Sequence, residues 1–498
     1  MKYTLPENTL LRLSEFIANN LALHFPKERW NDLERNIATA AKELGYSEIE
    51  NFIQRILSSP LTREHVEILT NHLTINETYF WREHDTFDAL EQQILPQLIR
   101  LHDEEKRIRI WSAGCSTGEE AYSIAIALNR IIPNINDWNI TILASDISPR
   151  ILRKASTGEF SEWSFRSAPQ WLKEKYFLHK EKNKFEIIPE IKNMVKFEYL
   201  NLAEDVFPSP LNNTNAMDII FCRNVLMYFT QSRVKQVVRG LYNSLIQGGY
   251  LVVSAAELSF QNFSEFAAIN FSGMVIYQKT SKKSKYQKPL PVIEVEYKPV
   301  LLKPFLEPIK IIEEIEPQIR KIENEILPII EKPAHIDSTY EEALSSYSQG
   351  NYIDVINKLQ KDDQTLEEQI LLTRAYANQG KLADALKSCE KAIASNKLDP
   401  LLQYLYATIL QENNQLDEAV ASLKRAIYLD TNFVLSYYSL GNIYQRLGNV
   451  NYAKKCFENV LTILNKCSQE EILPESEGLT AGRFKEIINA SIRSGMLL

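Results

Sequence analysis

The sequence predicts an α/β protein in three parts: an N-terminal helical module, a doubly wound parallel sheet, and a C-terminal all-α solenoid of paired helices. Three observations lead to this prediction. Apolar residues recur at helical spacing in the first hundred residues. Short β-type runs alternate with helical stretches between residues 105 and 280. After residue 336, small and aromatic residues recur every 34 positions.

The composition is that of an ordinary globular protein and argues against several classes. The chain has 498 residues, enough for roughly three domains. Its net charge of −8 argues against a nucleic-acid partner, since such proteins usually carry a basic patch. Its five scattered cysteines form neither a disulfide framework nor a zinc motif, and no metal is expected. Because there is no signal-peptide pattern and no apolar run near the ~18 residues of a membrane span, we expect a cytoplasmic protein without direct membrane insertion.

Residues 1–85 are predicted to form the N-terminal helical module. Leu10, Leu13 and Ile17 recur at helical spacing. A second periodic stretch follows and ends at Gly45, and glycine is favoured where helices terminate.

Residues 86–280 are predicted to form the sheet domain. The strand candidates are Arg107–Trp111, Trp138–Ala144, Met194–Tyr199, Met217–Cys222 and Gly249–Ala255. The helix candidates between them are Glu119–Ile131, Pro149–Ser156 and Gln231–Ile246. Strands separated by helices indicate a parallel, doubly wound sheet. Residues 158–189 fit this alternation poorly and are interpreted as an insertion, in which Phe185–Ile188 is a candidate hairpin arm.

A linker and a repeat region are predicted after the sheet domain. Eight prolines between positions 289 and 333 disfavour long helices, which makes 281–335 a linker. In 336–467, Ala385, Ala419 and Ala453 are 34 residues apart, the period of tetratricopeptide repeats. A generic helical bundle is the alternative. Residues 468–498 are expected to form a capping helix or a loose tail.

The strand–turn–helix segment at 108–122 is the first candidate for a ligand site. Its two glycines allow a sharp turn and a close approach to a ligand. Thr117 and Glu120 have capping-box spacing for the helix that follows. Glu119 and Glu120 place negative charge at the helix N-terminus, which disfavours a phosphate and suits a cationic ligand such as S-adenosylmethionine. A plain structural turn is the alternative.

Other polar residues lie at predicted strand ends. Asp146 ends the second strand, where such sheets bind ribose hydroxyls, although a helix N-cap is an alternative role. Arg223 and Asn224 end a buried strand at the carboxyl edge, where open α/β sheets bind ligands, and Tyr228 follows on the same loop. Residues 76–83 join the helical module to the sheet as an aromatic seam. The polar residues of that seam include Asn76, Thr78 and Arg82.

Taken together, five motifs resemble those of the CheR-type chemoreceptor methyltransferases. In family order they are Asn-x-Thr-x-Phe-x-Arg at 76–82, Trp-Ser-Ala-Gly-Cys-Ser-Thr-Gly-Glu-Glu at 111–120, Ala-Ser-Asp-Ile at 144–147, Asn201-Leu202, and Ile-Phe-Cys-Arg-Asn-Val-Leu at 220–226. The resemblance implies a Rossmann-like S-adenosylmethionine-dependent methyltransferase domain with a small β-subdomain, supplied by 158–189. Some family members continue into tetratricopeptide repeats. The sequence departs from the family pattern at Trp81 and Ala121, and neither change removes a polar ligand.

The resemblance also implies a set of site residues. S-adenosylmethionine is the implied cofactor and S-adenosylhomocysteine the product. The implied cofactor contacts are Asn76, Thr78, Arg82, Glu119, Asp146, Asn201, Leu202, Arg223 and Asn224. Within this set, Glu119 meets the amino end, Asp146 the ribose, and Asn201-Leu202 the adenine. Arg82 and Tyr228 lie near the transferred methyl group and are the implied catalytic residues.

The implied reaction esterifies glutamate side chains in the cytoplasmic helical domain of chemoreceptors. A glutamate carboxylate, with a reference pKa of ~4.3, is already anionic at neutral pH and needs no general base. The enzyme has to align the reactants, and Arg82 orients either the acceptor carboxylate or the carboxylate end of the cofactor. Two alternatives are another methyl acceptor and a catalytically silent scaffold whose repeats carry the function. The repeats predict a protein or peptide partner in their concave groove, or self-association, with the linker as a loose tether.

Overall fold

A seven-stranded mixed β-sheet lies at the centre of the chain in this computed structural model. The structure describes residues 5–21, 23–59, 61–74, 77–180, 183–271, 274–280, 338–361 and 363–493. Asn76 and the predicted linker at 281–335 lie outside these ranges. Within the ranges, every helix is too short or too polar to span a bilayer.

The first helices pack around a shared apolar core. They are α1 (Glu7–Leu21), α2 (Trp30–Glu43), α3 (Ile49–Ser58) and α4 (Arg63–Leu73). Leu10, Leu13 and Ile17 are fully buried in this core, which confirms the helical spacing. Gly45 follows α2 with a φ of +82°, and its N–H donates to the carbonyl of Lys42. It therefore terminates α2 as predicted. Two short helices, α5 (His84–Ala89) and α6 (Leu95–Leu101), then lead into the sheet.

The strands form one large sheet and one small sheet. They are β1 (Arg107–Ala113), β2 (Asn139–Asp146), β3 (Glu159–Ser161), β4 (Phe177–Lys180), β5 (Lys184–Ile187), β6 (Val195–Tyr199), β7 (Met217–Phe221), β8 (Leu245–Val252), β9 (Ala267–Phe271) and β10 (Met274–Gln278). The large sheet has the order β6-β2-β1-β7-β8-β10-β9, parallel from β6 to β8 and antiparallel at β10 and β9. The strand order reverses between β1 and β7, which opens a crevice at the carboxyl edge. The predicted α/β fold is confirmed.

The helices between the strands cover both faces of the sheet. They are α7 (Glu119–Ile131), α8 (Pro149–Thr157), α9 (Gln170–Tyr176), α10 (Pro189–Lys192) and α11 (Gln231–Ser244). The predicted bounds of α7 are confirmed. The predicted strand at Gly249–Ala255 is misplaced, since β8 starts four residues earlier and ends at Val252. Gly248, with a φ of +88°, lies in the interior of β8, where its register with β7 shifts, so the strand continues across the glycines.

The small sheet, with the order β3-β5-β4, packs against the aromatic seam. The predicted hairpin arm is present as β5. The ring of Phe80 lies 4.7 Å from that of Phe160, 5.0 Å from that of Phe165 and 4.9 Å from that of Phe177, between centroids. Phe80 is therefore the core residue of the subdomain contact, and it anchors one end of the segment that carries Arg82.

The C-terminal region consists of antiparallel helix pairs. They are α12 (Ser338–Ser348), α13 (Tyr352–Leu359), α14 (Leu366–Asn378), α15 (Leu382–Ser395), α16 (Pro400–Glu412), α17 (Leu416–Leu429), α18 (Val434–Arg446) and α19 (Val450–Leu464), followed by α20 (Ala481–Arg493). Ala385, Ala419 and Ala453 are all buried on the second helix of three successive pairs. Their small side chains allow the paired helices to cross closely, and the 34-residue period is confirmed as a structural repeat.

The repeats are docked on the sheet domain at the amino ends of its strands. The Glu412 carboxylate accepts hydrogen bonds from Asn215 Nδ2 at 2.6 Å and from Arg107 Nη2 at 3.4 Å. The carbonyl of Glu412 accepts one from Asn139 Nδ2 at 2.9 Å. Arg107 opens β1 and Asn139 opens β2, so the end of α16 seats directly on the edge of the sheet. The expectation of loosely tethered repeats is wrong for the described residues.

A second contact lies where the sheet domain ends. Lys279 is buried and donates to the carbonyl of Leu245 at 2.8 Å. Its ammonium lies 4.7 Å from the ring centroid of Tyr242 and 5.0 Å from that of Tyr352, which belongs to α13. The Tyr352 hydroxyl donates to the carbonyl of Asn243 at 3.2 Å. This aromatic and cationic cluster joins the first repeat to the sheet domain.

Candidate functional site

The loop after β1 follows the backbone path expected of a ligand-binding turn. Gly114 and Gly118 have φ values of +81° and +94°, which glycine adopts readily. The N–H groups of Gly114 and Cys115 donate to the carbonyl of Ser145 at 2.8 and 2.9 Å. A Cβ atom on Gly118 would meet Ala155 and the ring of Phe197 at 3.1 Å. The glycines therefore hold the loop tightly against the end of β2.

Asp146, at the end of β2, fastens that loop. Its Oδ2 accepts from Ser116 N at 2.9 Å and its Oδ1 from Ser148 N at 3.0 Å. Burial raises the pKa of Asp146, against the opposing effect of these backbone hydrogen bonds. The N-cap of α8 is Ser148, whose Oγ accepts from Ile151 N, so the N-cap alternative for Asp146 is wrong. A carboxylate has about four acceptor positions, which leaves Asp146 capacity for ribose hydroxyls.

The two acids that open α7 have different surroundings. Glu119 is 3% exposed and accepts from Thr117 Oγ1 at 2.6 Å and from Ser164 Oγ at 3.0 Å. Burial raises the pKa of Glu119. Glu120 instead accepts from Ser112 Oγ at 2.7 Å. The predicted capping box is therefore wrong, because Gly118 occupies the N-cap position and neither side chain caps the helix.

Arg223 is buried, and its guanidinium makes ionic contacts and a hydrogen bond to a backbone carbonyl. Its Nη1 lies 3.1 Å from the Glu120 carboxylate, and its Nη2 lies 3.0 Å from that of Glu83. Its Nη2 also donates to the carbonyl of Arg82 at 2.8 Å. The Arg223 Nε has no partner among the described residues. Arg223 therefore joins the β7 loop, α7 and the aromatic seam.

Asn224 and its neighbours depend on an acid that the sequence analysis missed. The Asn224 N–H donates to Glu257 Oε2 and the Val225 N–H donates to Glu257 Oε1, both at 2.7 Å. Ser254 Oγ donates to Glu257 Oε2 at 2.6 Å. Asn224 itself has a φ of +59°. Spacing in the sequence gives no signal for this contact, because Glu257 lies 33 residues after Asn224.

Arg82 and Tyr228 both line one cavity at this edge of the sheet. Arg82 donates to the carbonyl of Glu77 at 3.1 Å, and no carboxylate pairs with it in the described ranges. The carbonyl of Tyr228 accepts from His24 N at 2.6 Å, which ties the loop to the N-terminal helices. Burial raises the pKa of the Tyr228 phenol.

Two cavities open at this edge of the sheet. The first has a volume of about 210 Å³ and is lined by Thr78, Arg82, Glu120, Arg223, Asn224 and Tyr228, among others. The second has a volume of about 470 Å³ and its lining includes Thr78, Thr117, Glu119, Lys154 and Ser164. Because Thr78 lines both, the cavities are neighbours. They bring together most of the predicted site residues.

Three predicted residues, Asp146, Asn201 and Leu202, are absent from the described lining of these cavities. Asn201 and Leu202 are buried in the loop after β6, outside the described lining of both cavities. That loop begins beside Asp146, because Leu200 N donates to the Asp146 carbonyl at 3.2 Å. A further predicted residue, Asn76, falls outside the described residues.

Comparison with known proteins gives matches to both halves of the chain. Residues 76–274 match the family described as CheR methyltransferase, SAM binding domain. Residues 407–448 and 434–464 match tetratricopeptide repeat families. These matches cover the sheet region and the repeat region separately.

Several curated relatives align with the first half of the chain. A protein named chemotaxis protein methyltransferase from Borreliella burgdorferi is 32% identical over 260 residues, covering 52% of this chain and 90% of that protein. Chemotaxis protein methyltransferase 2 of Vibrio cholerae is 36% identical over 219 residues, covering 44% and 75%. A probable chemotaxis protein methyltransferase of Rhizobium etli is 34% identical over 223 residues, covering 43% and 80%. Each alignment spans about half of this chain.

Proposed function

The chain belongs to the CheR methyltransferase family, and from that premise we propose that it methylates glutamate side chains in the cytoplasmic helical domain of chemoreceptors. The product is a glutamate methyl ester, formed within a chemotaxis-type signalling pathway in the cytoplasm. The observation that carries the proposal is the cluster of Arg82, Asn224 and Tyr228 around one cavity, beside the buried acids that open α7.

The charges at the carboxyl edge suit S-adenosylmethionine, which supplies an electrophilic methyl group when bound. Glu119 and Glu120 open α7 and Asp146 ends β2, so carboxylates face a ligand with an ammonium, a sulfonium and ribose hydroxyls. The Arg223 Nε, which has no partner among the described residues, is the proposed donor to the carboxylate of S-adenosylmethionine. We assign Glu119 to the amino end, Asp146 to the ribose, and the loop at Asn201-Leu202 to the adenine. Thr78, Arg223 and Asn224 complete the proposed cofactor contacts, with Asn76 as a further candidate.

Arg82 is the better candidate for orienting the acceptor carboxylate. Arg223 is neutralised by Glu120 and Glu83, whereas the described partners of Arg82 are a carbonyl oxygen and an aromatic ring. A guanidinium without a paired carboxylate can bind an incoming one in a bidentate manner. The acceptor glutamate is anionic at neutral pH, so Arg82 and Tyr228 act by holding its oxygen in line rather than by removing a proton.

Calorimetric titration with S-adenosylhomocysteine tests the cofactor assignment. We expect micromolar binding by the wild type and at least tenfold weaker binding by Asp146→Ala. Asp137→Ala is the matched control, since Asp137 is an exposed acid in the same domain. No binding by the wild type would contradict the proposal. Wild-type affinity of Asp146→Ala for S-adenosylhomocysteine would contradict only the role assigned to Asp146.

The acceptor is tested separately with methyl-labelled cofactor and receptor-containing membranes. Glutamate methyl esters release methanol in base, whereas methylated nitrogen or sulfur does not. Base-labile label on receptors supports the proposed acceptor, and base-stable label would point to a different one. We also propose that the repeats recruit a protein partner, since tetratricopeptide solenoids present an extended binding surface.

A further inference from the structure

Helix α20, the last helix among the described residues, reaches the side of the sheet where the adenine is proposed to bind. Helix α20 packs against β6 and α8. From it, Arg483 Nε donates to Asp205 Oδ1 at 2.7 Å, and its Nη1 lies 3.4 Å from Glu204 Oε2. The Asp205 side chain is 3% exposed. A half-buried cation of α20 therefore pairs with a buried acid in the loop after β6.

That loop is held together by the second oxygen of the same acid. Asp205 Oδ2 accepts from the Asn201 N–H at 2.6 Å. The Asn201 Oδ1 accepts from Ala203 N at 3.0 Å, and its Nδ2 donates to Glu204 Oε2 at 3.1 Å. The Asp205 side chain therefore connects Arg483 to the backbone of Asn201, the residue proposed to flank the adenine.

Packing alone does not explain why position 483 holds an arginine. Phe484 and Ile488 attach α20 to the repeats and are fully buried in the repeat core. Arg483 pairs with Glu486 of its own helix, but its Nε donates to the sheet domain, where an apolar residue would leave the buried Asp205 carboxylate without its cation. Because removing one partner of a buried pair leaves the other charge uncompensated, the geometry of Asp205 depends on Arg483.

We propose that Arg483 is a positioning residue for the adenine side of the cofactor site. It holds Asp205, Asp205 fixes the Asn201-Leu202 backbone, and the C-terminal module thereby sets the affinity for the adenosine part of the cofactor. This inference rests on the cofactor site proposed above.

The test compares two ligands by calorimetry on the full-length protein. S-adenosylhomocysteine is the complete product, whereas 5′-methylthioadenosine has its adenosine part without the amino acid. We expect Arg483→Met to weaken both by the same factor, about tenfold, with unchanged stoichiometry. Arg483→Lys should recover part of the loss. Arg425→Met, at an exposed arginine of the same repeat array, should bind like the wild type.

A double-mutant comparison distinguishes coupling between Arg483 and Asp205 from a general effect of the substitution on folding. In an Asp205→Asn background, Arg483→Met should cause little further loss, because the coupled partner is already changed. Three results would overturn the inference: wild-type affinity in Arg483→Met, a loss of stoichiometry with unchanged Kd, or a loss limited to S-adenosylhomocysteine. A wild type that binds neither ligand would refute the proposed cofactor site itself, so the two failures are distinguishable.

Discussion

Replacing Glu257 with glutamine is expected to disable methyl transfer while leaving the protein folded. The buried Glu257 carboxylate holds the loop that carries Arg223 and Asn224, with one 2.7 Å hydrogen bond to each of its two oxygens from consecutive N–H groups. Glutamine keeps one oxygen but turns the other into an NH2 donor. Whichever way the amide is oriented, a donor then faces a backbone N–H.

The magnitude follows from the lost contacts. A hydrogen bond to a charged group contributes about 1.5–3 kcal/mol, and the donor that loses its acceptor is buried. One of the two 2.7 Å bonds disappears, and the other weakens together with the longer bonds from Met227 N and Ser254 N. We therefore expect the loop to be stabilised by about 3 kcal/mol less in Glu257→Gln. At about 1.36 kcal/mol per tenfold, this corresponds to a kcat/KM about 150-fold lower, if the loop geometry is needed in the transition state.

The assay is methyl transfer from labelled cofactor to receptor membranes, with Tm measured on the same preparations. Glu265→Gln is the matched control, because Glu265 is an exposed acid eight residues further along the chain. Glu257→Gln should lose activity while more than nine-tenths of it stays folded at the assay temperature. Retention of more than half of the wild-type kcat/KM would refute the idea that Glu257 shapes the site.

Three further predictions concern the rest of the molecule. Glu412→Ala should weaken the docking of the repeats on the sheet, since breaking a buried pair costs about 3–5 kcal/mol, and limited proteolysis should then cleave the variant faster than the wild type. Arg82→Ala should lower kcat/KM more than Tyr228→Phe, and equal activity of Arg82→Ala and wild type would contradict its assignment. His102 should stabilise the fold at low pH: burial lowers its pKa, but the hydrogen bond to Asp218 at 2.8 Å and the charge of that residue outweigh this and raise it. The stabilisation is then complete below the unfolded pKa of ~6.5 and is lost as pH rises through the folded pKa, and urea unfolding of His102→Gln across pH 5–8 should lack this component.

A secondary-structure element could be predicted from the sequence where one local signal determines it. Helix α7 was predicted with its observed bounds, because two glycines precede it and its apolar residues continue to Ile131. Strands β9 and β10 were not predicted, since they are short antiparallel strands at the edge of the sheet. The capping box failed because spacing alone cannot reveal that Gly118, at a φ of +94°, takes the cap position.

The individual site residues could be predicted from the sequence, but the long-range contacts that hold them in place could not. Motif positions brought Thr78, Arg82 and Asn224 into one candidate set, and one cavity brings them together. The acid that supports Asn224, Glu257, and the arginine that reaches Asp205, Arg483, are separated from their partners by 33 and 278 residues. Contacts of that kind depend on how the sheet and the repeats pack, which periodicity does not encode.

The docking of the repeats changes what a truncation would measure. Cutting the chain near Lys283 removes Glu412 and leaves Arg107, whose side chain is 5% exposed, without that carboxylate at the start of β1. The same cut uncovers Lys279 and Tyr242, which Tyr352 now covers. Lost activity in such a fragment could therefore reflect a destabilised sheet edge as much as a lost partner. Point variants at Glu412 and Arg483 separate these effects, because each alters one contact while the repeats stay attached.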